Sequence, residues 1–142
     1  MKLTVIGLPV PQGSKSARVF NGRAIMTDGF GDRPRRLKEW RQAIAAAARD
    51  WMTANGAESP QDGPLALTAV FFMPRPKSAR KRLFPAVAPD ADKLARSCLD
   101  ALTGIAYTDD SRVVDLFVLK RYAADSPPRV EIDLRPATEA DL

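Results

Sequence analysis

Four aspartates in one short stretch are the residues of this chain whose types and spacing could do chemistry. Asp90 and Asp92 form one pair, Asp109 and Asp110 form a second, and the segment 89–115 holds six of the 17 acidic residues. Carboxylates a few ångströms apart repel one another unless they share a proton, have a basic neighbour or bind a hard divalent cation. A D-x-D pair alone also occurs in phosphotransferases, and Asp90 alone could be a helix N-cap. Two pairs that meet would favour a metal site.

The residues between the two pairs are predicted to form a helix. Apolar side chains recur at three- and four-residue steps over Ala91–Leu102, Asp90 can cap the start and Gly104 can close the end. A helix of about twelve residues is roughly 18 Å long, so the second pair must return along it to meet the first. A turn through Gly104 and an extended run after Val113 allow that return. Cys98, on the apolar face, is expected to be a buried thiol without a disulfide partner.

The amino-acid composition limits the kinds of catalytic site that this chain can form. The 142 residues fit one domain, and the absence of histidine excludes histidine triads and histidine general bases. Hydrolysis would then depend on carboxylates, lysines or a metal-bound water. No apolar run of 18 residues and no signal-like start is found, so we expect no membrane span and a cytoplasmic location.

Charge is divided unevenly along the chain. The net charge is +5, but residues 1–89 carry 15 basic and 6 acidic residues, net +9, whereas residues 90–142 carry 7 and 11, net −4. A basic first part before an acidic cluster suits a polyanionic substrate that is presented to a metal site.

The remaining pattern predicts an α+β fold in a single domain, residues 1–134, followed by a polar tail, residues 135–142. A mixed or antiparallel sheet would carry about two main helices on one face, in the order β-β-α-β-α-β-β. The helix from Leu37 should bury Trp40 and Trp51 on its apolar stripe. The last two strands are expected to pair as an antiparallel hairpin. The predicted strands are Lys2–Leu8, Arg23–Thr27, Leu65–Met73, Val113–Tyr122 and Arg129–Leu134.

Two basic segments are candidates for DNA contact. The first, Gln12–Arg23, is predicted to be a phosphate-gripping loop, with a solvated hairpin as the alternative. The second, residues 74–89, combines five cations with four prolines, which predicts a loop beside the acidic motif. Phe84 in that loop could stack on an unpaired base or dock on the core. The candidate DNA-binding residues are Lys15, Arg18, Arg23, Arg75, Lys77, Arg80, Lys81, Arg82 and Lys93.

The acidic stretch resembles the RusA family of Holliday-junction resolvases. The resemblance is carried by Pro-Asp-x-Asp-x-Leu, a basic residue four positions after the second Asp, Leu-Asp-Ala-Leu-x-Gly and Asp-Asp-Ser-x-Val-Val. In that family three aspartates per subunit bind Mg2+ and a nearby lysine assists. The aspartates match Asp90, Asp92 and Asp110, which the resemblance marks as catalytic and metal-binding, and Asp109 adjoins them as a further candidate ligand. Arg96 stands at the lysine position, and Lys93 replaces an asparagine.

The resemblance implies a homodimeric endonuclease that uses Mg2+, with Mn2+ as an alternative, to resolve four-way or other branched DNA by paired symmetric nicks. It also implies a bacterial or phage-encoded protein. Arg96 cannot act as a base because it keeps its proton, so its catalytic role would be electrostatic. The plainer alternative for Arg96 is an ion pair with Asp92, and we expect Asp100 to orient it.

Other functions are also compatible with the sequence. The first alternative is a non-catalytic basic DNA-binding domain, in which the acids are caps and surface ion pairs. A restriction-type nuclease or a D-x-D phosphotransferase is a further alternative. A restriction-type site would need a D/E-x-K strand, and the segment Glu131–Asp133 lacks the lysine.

Overall fold

The strand β4 (Leu65–Met73) lies in the interior of the sheet and buries every second side chain against the helices. Its apolar run is bounded by Pro64 and Pro74, which cannot continue a central strand. The structure, a computed structural model, describes residues 1–27, 29 and 31–142, without the side chains at 16–18, 20 and 27. The bounds of β4 are those that the sequence predicts.

Four strands form the main sheet, in the order β1 (Lys2–Ile6), β6 (Arg129–Pro136), β4 and β5 (Val113–Tyr122). Strand β6 is antiparallel to both β1 and β4, whereas β4 and β5 are parallel. The predicted β5–β6 hairpin is therefore wrong. A helix crosses over between β4 and β5, as a parallel pair requires, and β6 then fills the place between β4 and β1.

Two helices cover one face of this sheet. Helix α1 (Arg33–Ala54) begins four residues before the expected start at Leu37, with Pro34 in its first turn, where a missing N–H costs nothing. Helix α2 (Ala91–Leu102) has its predicted bounds, and Gly104 follows its C-cap at a φ of +77°. The predicted α+β class, with two main helices on a mixed sheet, is confirmed. Both helices and three strands share one core, with Leu37, Trp40, Ile44, Leu94, Cys98, Leu102, Phe71, Val130 and Ile132 among its buried members.

A hairpin occupies most of the first basic segment. Strands β2 (Ser16–Phe20) and β3 (Arg23–Thr27) pair antiparallel in a separate two-stranded sheet. The prediction included β3 but treated β2 as loop. Asn21 and Gly22, at φ +49° and +73°, form the two-residue turn with left-handed conformations that an Asn-Gly pair favours. The segment therefore forms a hairpin, and its contact with phosphate stays a prediction.

The C-terminal residues 135–142, expected as a polar tail, continue β6 through Pro136 and end in a 3-10 turn at Glu139–Asp141. The guanidinium of Arg135 donates two hydrogen bonds to the carboxylate of Asp141, at 2.5 and 2.8 Å. This pair ties the last turn to the end of the sheet. Among the described residues, neither helix has the length and apolar composition that a membrane crossing requires.

Candidate active site

One face of α2 carries a stripe of charged side chains at four-residue steps. Asp92, Arg96 and Asp100 share this stripe, while Leu94, Cys98 and Leu102 lie on the buried side of the same helix. A spacing of four residues places side chains one above the other. The amphipathic pattern that packs α2 on the sheet therefore also aligns its charged residues toward the outside.

These three side chains and Asp110 line one cavity of about 450 Å³, here called the acidic cavity. Leu116 and Val118 of β5 form its apolar wall, together with Ala95 and Leu99 of α2. Two aspartates that are 18 residues apart in the sequence, Asp92 and Asp110, thus lie on the same cavity. Neither takes part in a described ion pair, so both carboxylates are available to a cation.

The return of the chain from α2 to Asp110 depends on Tyr107, which the sequence reasoning did not single out. Its side chain is fully buried, and its hydroxyl donates to the carbonyl oxygen of Leu99 at 2.9 Å. The neighbouring backbone forms two hydrogen bonds with Gln61. The N–H of Gln61 donates to the carbonyl oxygen of Ala106, and the carbonyl oxygen of Gln61 accepts from the N–H of Thr108, both at 3.0 Å. Burial raises the pKa of the Tyr107 hydroxyl, so it stays a neutral donor. This anchor keeps the second acidic pair close to α2.

Asp90 and Asp109 lie outside the acidic cavity. The carboxylate of Asp90 accepts a hydrogen bond from Lys93 Nζ at 2.7 Å and faces a second cavity of about 490 Å³, shared with Arg33 and Arg36. Asp90 occupies the N-cap position of α2, as expected, but its side chain caps no backbone N–H. Asp109 caps the 3-10 turn Asp110–Arg112 by accepting from Ser111 N at 2.9 Å.

Electrostatics keep both of these carboxylates ionised. The hydrogen bond and charge of Lys93 lower the pKa of Asp90, with a further contribution from the charge of Lys120. The hydrogen bonds from Ser111 lower the pKa of Asp109. Both side chains are therefore anions at neutral pH.

Lys120 holds the segment that leads into α2, and the sequence reasoning did not identify it. Its ammonium donates to the carbonyl oxygens of Val87 and Pro89, at 2.6 and 2.7 Å. In the register of the parallel pair, Lys120 lies opposite Phe71, on the helix-covered side of the sheet. Because Pro89 immediately precedes Asp90, the Lys120 bonds position the start of α2 and the first aspartate.

Gln12 links the first basic segment to the site. Its backbone N–H donates to the carbonyl of Lys93 at 2.9 Å, and its side-chain amide donates to the carboxylate of Asp100. Asp100 is thus oriented by Gln12, whereas the sequence suggested Arg96 as its partner. The described ion pairs include neither Arg96 with Asp92 nor Arg96 with Asp100. The Arg96 side chain is exposed at the acidic cavity and free to meet an anion.

The candidate DNA-binding residues lie on three parts of the chain: the basic loop defined by residues 74–89, the hairpin with the residues just before it, and the first turn of α2. Five of them, on the basic loop, are exposed and take part in no described ion pair: Arg75, Lys77, Arg80, Lys81 and Arg82. Arg75 also stacks over the ring of Tyr122, 4.5 Å from its centroid. Lys15 and Arg23 are exposed, whereas the side chain of Arg18 lies outside the described residues. Lys93 is engaged with Asp90.

Phe84 is more than half exposed, so it does not dock on the core. The guanidinium of Arg121 lies 5.4 Å from the centroid of its ring. Docking of Phe84 on the core was the alternative to base stacking. Because the ring is not docked, its exposed part is available to a partner. Stacking on a base stays a prediction.

Hard oxygen donors of the kind that Mg2+ prefers are present, but they are spread around the site. Within residues 1–27, 29 and 31–142, no three His, Cys, Asp or Glu side chains lie close enough together to hold one ion as placed. Mg2+ commonly binds through one or two carboxylates and keeps several waters. Asp92 and Asp110, on a cavity with room for water, fit that mode of binding.

The fold and the site define a class of protein: a two-layer α+β domain with an acidic cavity beside exposed cations. A family model described as Endodeoxyribonuclease RusA matches residues 7–135. The chain therefore belongs to the RusA endodeoxyribonuclease family, as its acidic motif suggested. It is also similar to the Bacillus subtilis (strain 168) protein YqaN, described as uncharacterized, with 34% identity over 146 residues that cover 95% of each chain.

Proposed function

We propose that this protein is a Mg2+-dependent endonuclease that cuts four-way and related branched DNA by paired symmetric nicks. One observation carries the proposal: Asp92 and Asp110 line one cavity together with Arg96, in a chain of the RusA endodeoxyribonuclease family. Phosphodiester hydrolysis needs a nucleophile made from water and positive charge beside the transition state. The cavity combines carboxylates for a cation with a guanidinium for the phosphate.

Asp92 and Asp110 would hold the ion, with Asp90 and Asp109 as the further carboxylates of the two pairs. When bound, Mg2+ supplies an activated water and charge stabilisation for the phosphoryl oxygens. Lys93 keeps Asp90 ionised, and Lys120 fixes the backbone from which Asp90 projects. The chain thus maintains carboxylates in the form that a hard cation binds.

Arg96 would bind the scissile phosphate. An arginine side chain carries a positive charge and offers donors in a fork that matches two phosphate oxygens. It takes part in no described ion pair, so it need not leave a protein partner to do so. The role is electrostatic stabilisation, since arginine cannot accept a proton here.

DNA binding would involve the basic loop and the hairpin. The five exposed cations of the loop repel one another, and phosphate relieves that repulsion while releasing counterions. Lys15, Arg18 and Arg23 would add contacts from the hairpin side. Phe84 would stack on a base that is exposed at a branch point.

A homodimer would give two equivalent sites for a junction with approximate two-fold symmetry. The strand β5 is at an edge of the sheet, and its side chains Val114, Leu116 and Phe117 are 43–59% exposed. An unpaired apolar edge favours association with another chain. Leu116 also lines the acidic cavity, so a second copy on β5 would lie next to the site.

The test is cleavage of a labelled four-way junction with and without Mg2+. We expect metal-dependent symmetric nicks from the wild type, and a loss of at least about a hundredfold in Asp92→Asn and in Asp110→Asn, because each removes a charged ligand. Asp125→Asn, in the exposed β5–β6 turn, is the matched control and should cut like the wild type.

Nicking by Asp92→Asn at the wild-type rate would refute the proposal. Tight junction binding without cleavage in any metal would instead favour the non-catalytic DNA-binding alternative. Comparing junctions with flaps and forks in the same assay would define the preferred substrate.

A further inference from the structure

A groove separates the exposed sides of α1 and α2. It has a volume of about 720 Å³, and we call it the α1–α2 groove. None of its cations appears among the DNA-binding candidates that the sequence suggested. The lining residues are Pro34, Leu37, Lys38, Arg41, Gln42, Ala45 and Arg49 of α1, Asp100 and Ala101 of α2, and Thr103 and Ile105 beyond it.

Three cations, Lys38, Arg41 and Arg49, line the α1 side of this groove. None of them takes part in a described ion pair. Helix α1 carries two acidic side chains, Glu39, which is bound to Arg35 at 2.9 Å, and Asp50, and neither lines the groove. Eleven residues of helix separate Lys38 from Arg49, a rise of roughly 16 Å. Along B-DNA that distance corresponds to about five base pairs at 3.4 Å per step. The cations are therefore spaced to meet several phosphates of one strand.

The groove adjoins the candidate active site, because the two share one lining residue. Asp100 lines both the α1–α2 groove and the acidic cavity that holds Asp92 and Asp110. Its carboxylate accepts a hydrogen bond from the side-chain amide of Gln12, which holds it on the boundary between the two cavities. A strand that lies in the groove can thus continue past Asp100 into the cavity.

We propose that the α1–α2 groove binds the phosphate backbone of the DNA arm that leads into the active site, with Lys38, Arg41 and Arg49 as the phosphate contacts. This inference rests on the proposed function and extends it, because it assigns a substrate surface on α1. Charge selects the occupant: three unpaired cations against one engaged carboxylate favour a polyanion over an ordinary protein helix. The surface would set affinity and direct the arm without reading its sequence.

The experiment measures junction affinity in EDTA, where binding does not depend on cleavage. The test protein carries Lys38→Gln, Arg41→Gln and Arg49→Gln. A matched control carries Lys2→Gln, Arg35→Gln and Arg135→Gln, which removes the same charge from residues that are already paired with carboxylates. Both proteins are first shown to unfold cooperatively like the wild type.

We expect the groove variant to bind more weakly than the control at low salt, and the difference to shrink as the salt concentration rises. Its plot of log affinity against log salt should be shallower than that of the wild type by about 2.7, because each phosphate contact contributes about 0.9 to the slope. The control should keep nearly the wild-type slope. Equal slopes for the wild type and the groove variant, or equal losses in both variants, would overturn the inference.

The readout separates this inference from the proposed function. If the wild type binds junctions through the groove but never nicks them, the nuclease function is refuted and the groove contact with DNA is supported. If the wild type nicks junctions and the groove variant binds and nicks them equally well, the groove contact is refuted and the nuclease function is supported. In that second outcome the groove would be free for a protein partner.

Discussion

Replacing Lys120 by methionine should loosen the entry to α2 without unfolding the domain. Methionine keeps the apolar stem but removes both hydrogen bonds to Val87 and Pro89. Hydrogen bonds from a charged donor contribute about 1.5–3 kcal/mol each. The bond to Val87 is exposed and the one to Pro89 is half-buried, so the pair should contribute about 2 kcal/mol in total. A domain of this size has roughly 5–15 kcal/mol of stability and remains folded.

The same change should weaken metal binding. Asp90, which the proposed function assigns as a further metal ligand, follows Pro89 directly. Loss of a residue that orients a ligand typically costs about 10–100-fold in metal affinity or activity. Mn2+ titration and urea unfolding together measure the two effects. Lys120→Arg, which retains donors, should recover most of both.

Lys77→Met is the control for the loss of one charge, because Lys77 is exposed and makes no described ion pair. It should leave unfolding and Mn2+ affinity near the wild-type values. An unfolding free energy of Lys120→Met within about 0.5 kcal/mol of the wild type would show that the two Lys120 hydrogen bonds do not stabilise the fold, since surface changes without such bonds fall in that range.

Two further predictions concern the core beneath the site. Burial raises the pKa of the Cys98 thiol from 9.0 to about 12, so the thiol should resist alkylation until the protein unfolds. The contribution of the neutral Cys98 thiol to folding stability is complete below pH 9 and is lost as the pH rises toward 12. In that range the free energy of unfolding of the wild type should fall by about 1 kcal/mol per pH unit relative to that of Cys98→Ala. Parallel curves of unfolding free energy against pH for the two proteins would contradict this. Tyr107→Phe should cost about 1 kcal/mol in urea unfolding, because it deletes the hydrogen bond to Leu99. The buried hydroxyl of Tyr122 has no hydrogen-bond partner among the described residues, so Tyr122→Phe should leave the free energy of unfolding unchanged or raise it. A larger loss of stability in Tyr122→Phe than in Tyr107→Phe would show that the assigned bonds are wrong.

The elements that the sequence predicted well are those with a strong local signal. The apolar run of β4 between prolines and the periodic stripe of α2 each fix the bounds of an element without reference to the rest of the chain. Strand β2 was missed because its sequence was read as basic loop, although the Asn21-Gly22 turn is a hairpin signal. The predicted pairing of the last two strands was also wrong, since neighbours in sequence need not be neighbours in a sheet.

The candidate site was predictable in part. The helical spacing of α2, and the turn that returns the chain along it, predicted that the two acidic pairs could meet. In the structure Asp92 and Asp110 do line one cavity. The same reasoning could not separate Asp90 from them, because the sequence does not show that its carboxylate pairs with Lys93 and faces a different cavity. Contacts from distant segments, such as Gln12 with Asp100 and Lys120 with Pro89, leave no periodic trace in the sequence.

The proposed metal site is tested most directly by a crystal structure with bound Mn2+, located by its anomalous scattering. We expect an ion in the acidic cavity, with carboxylate oxygens of Asp92 and Asp110 as ligands, directly or through its waters. Mn2+ that binds only elsewhere, or a cavity that stays empty at saturating Mn2+, would contradict the claim that these two aspartates form a metal site.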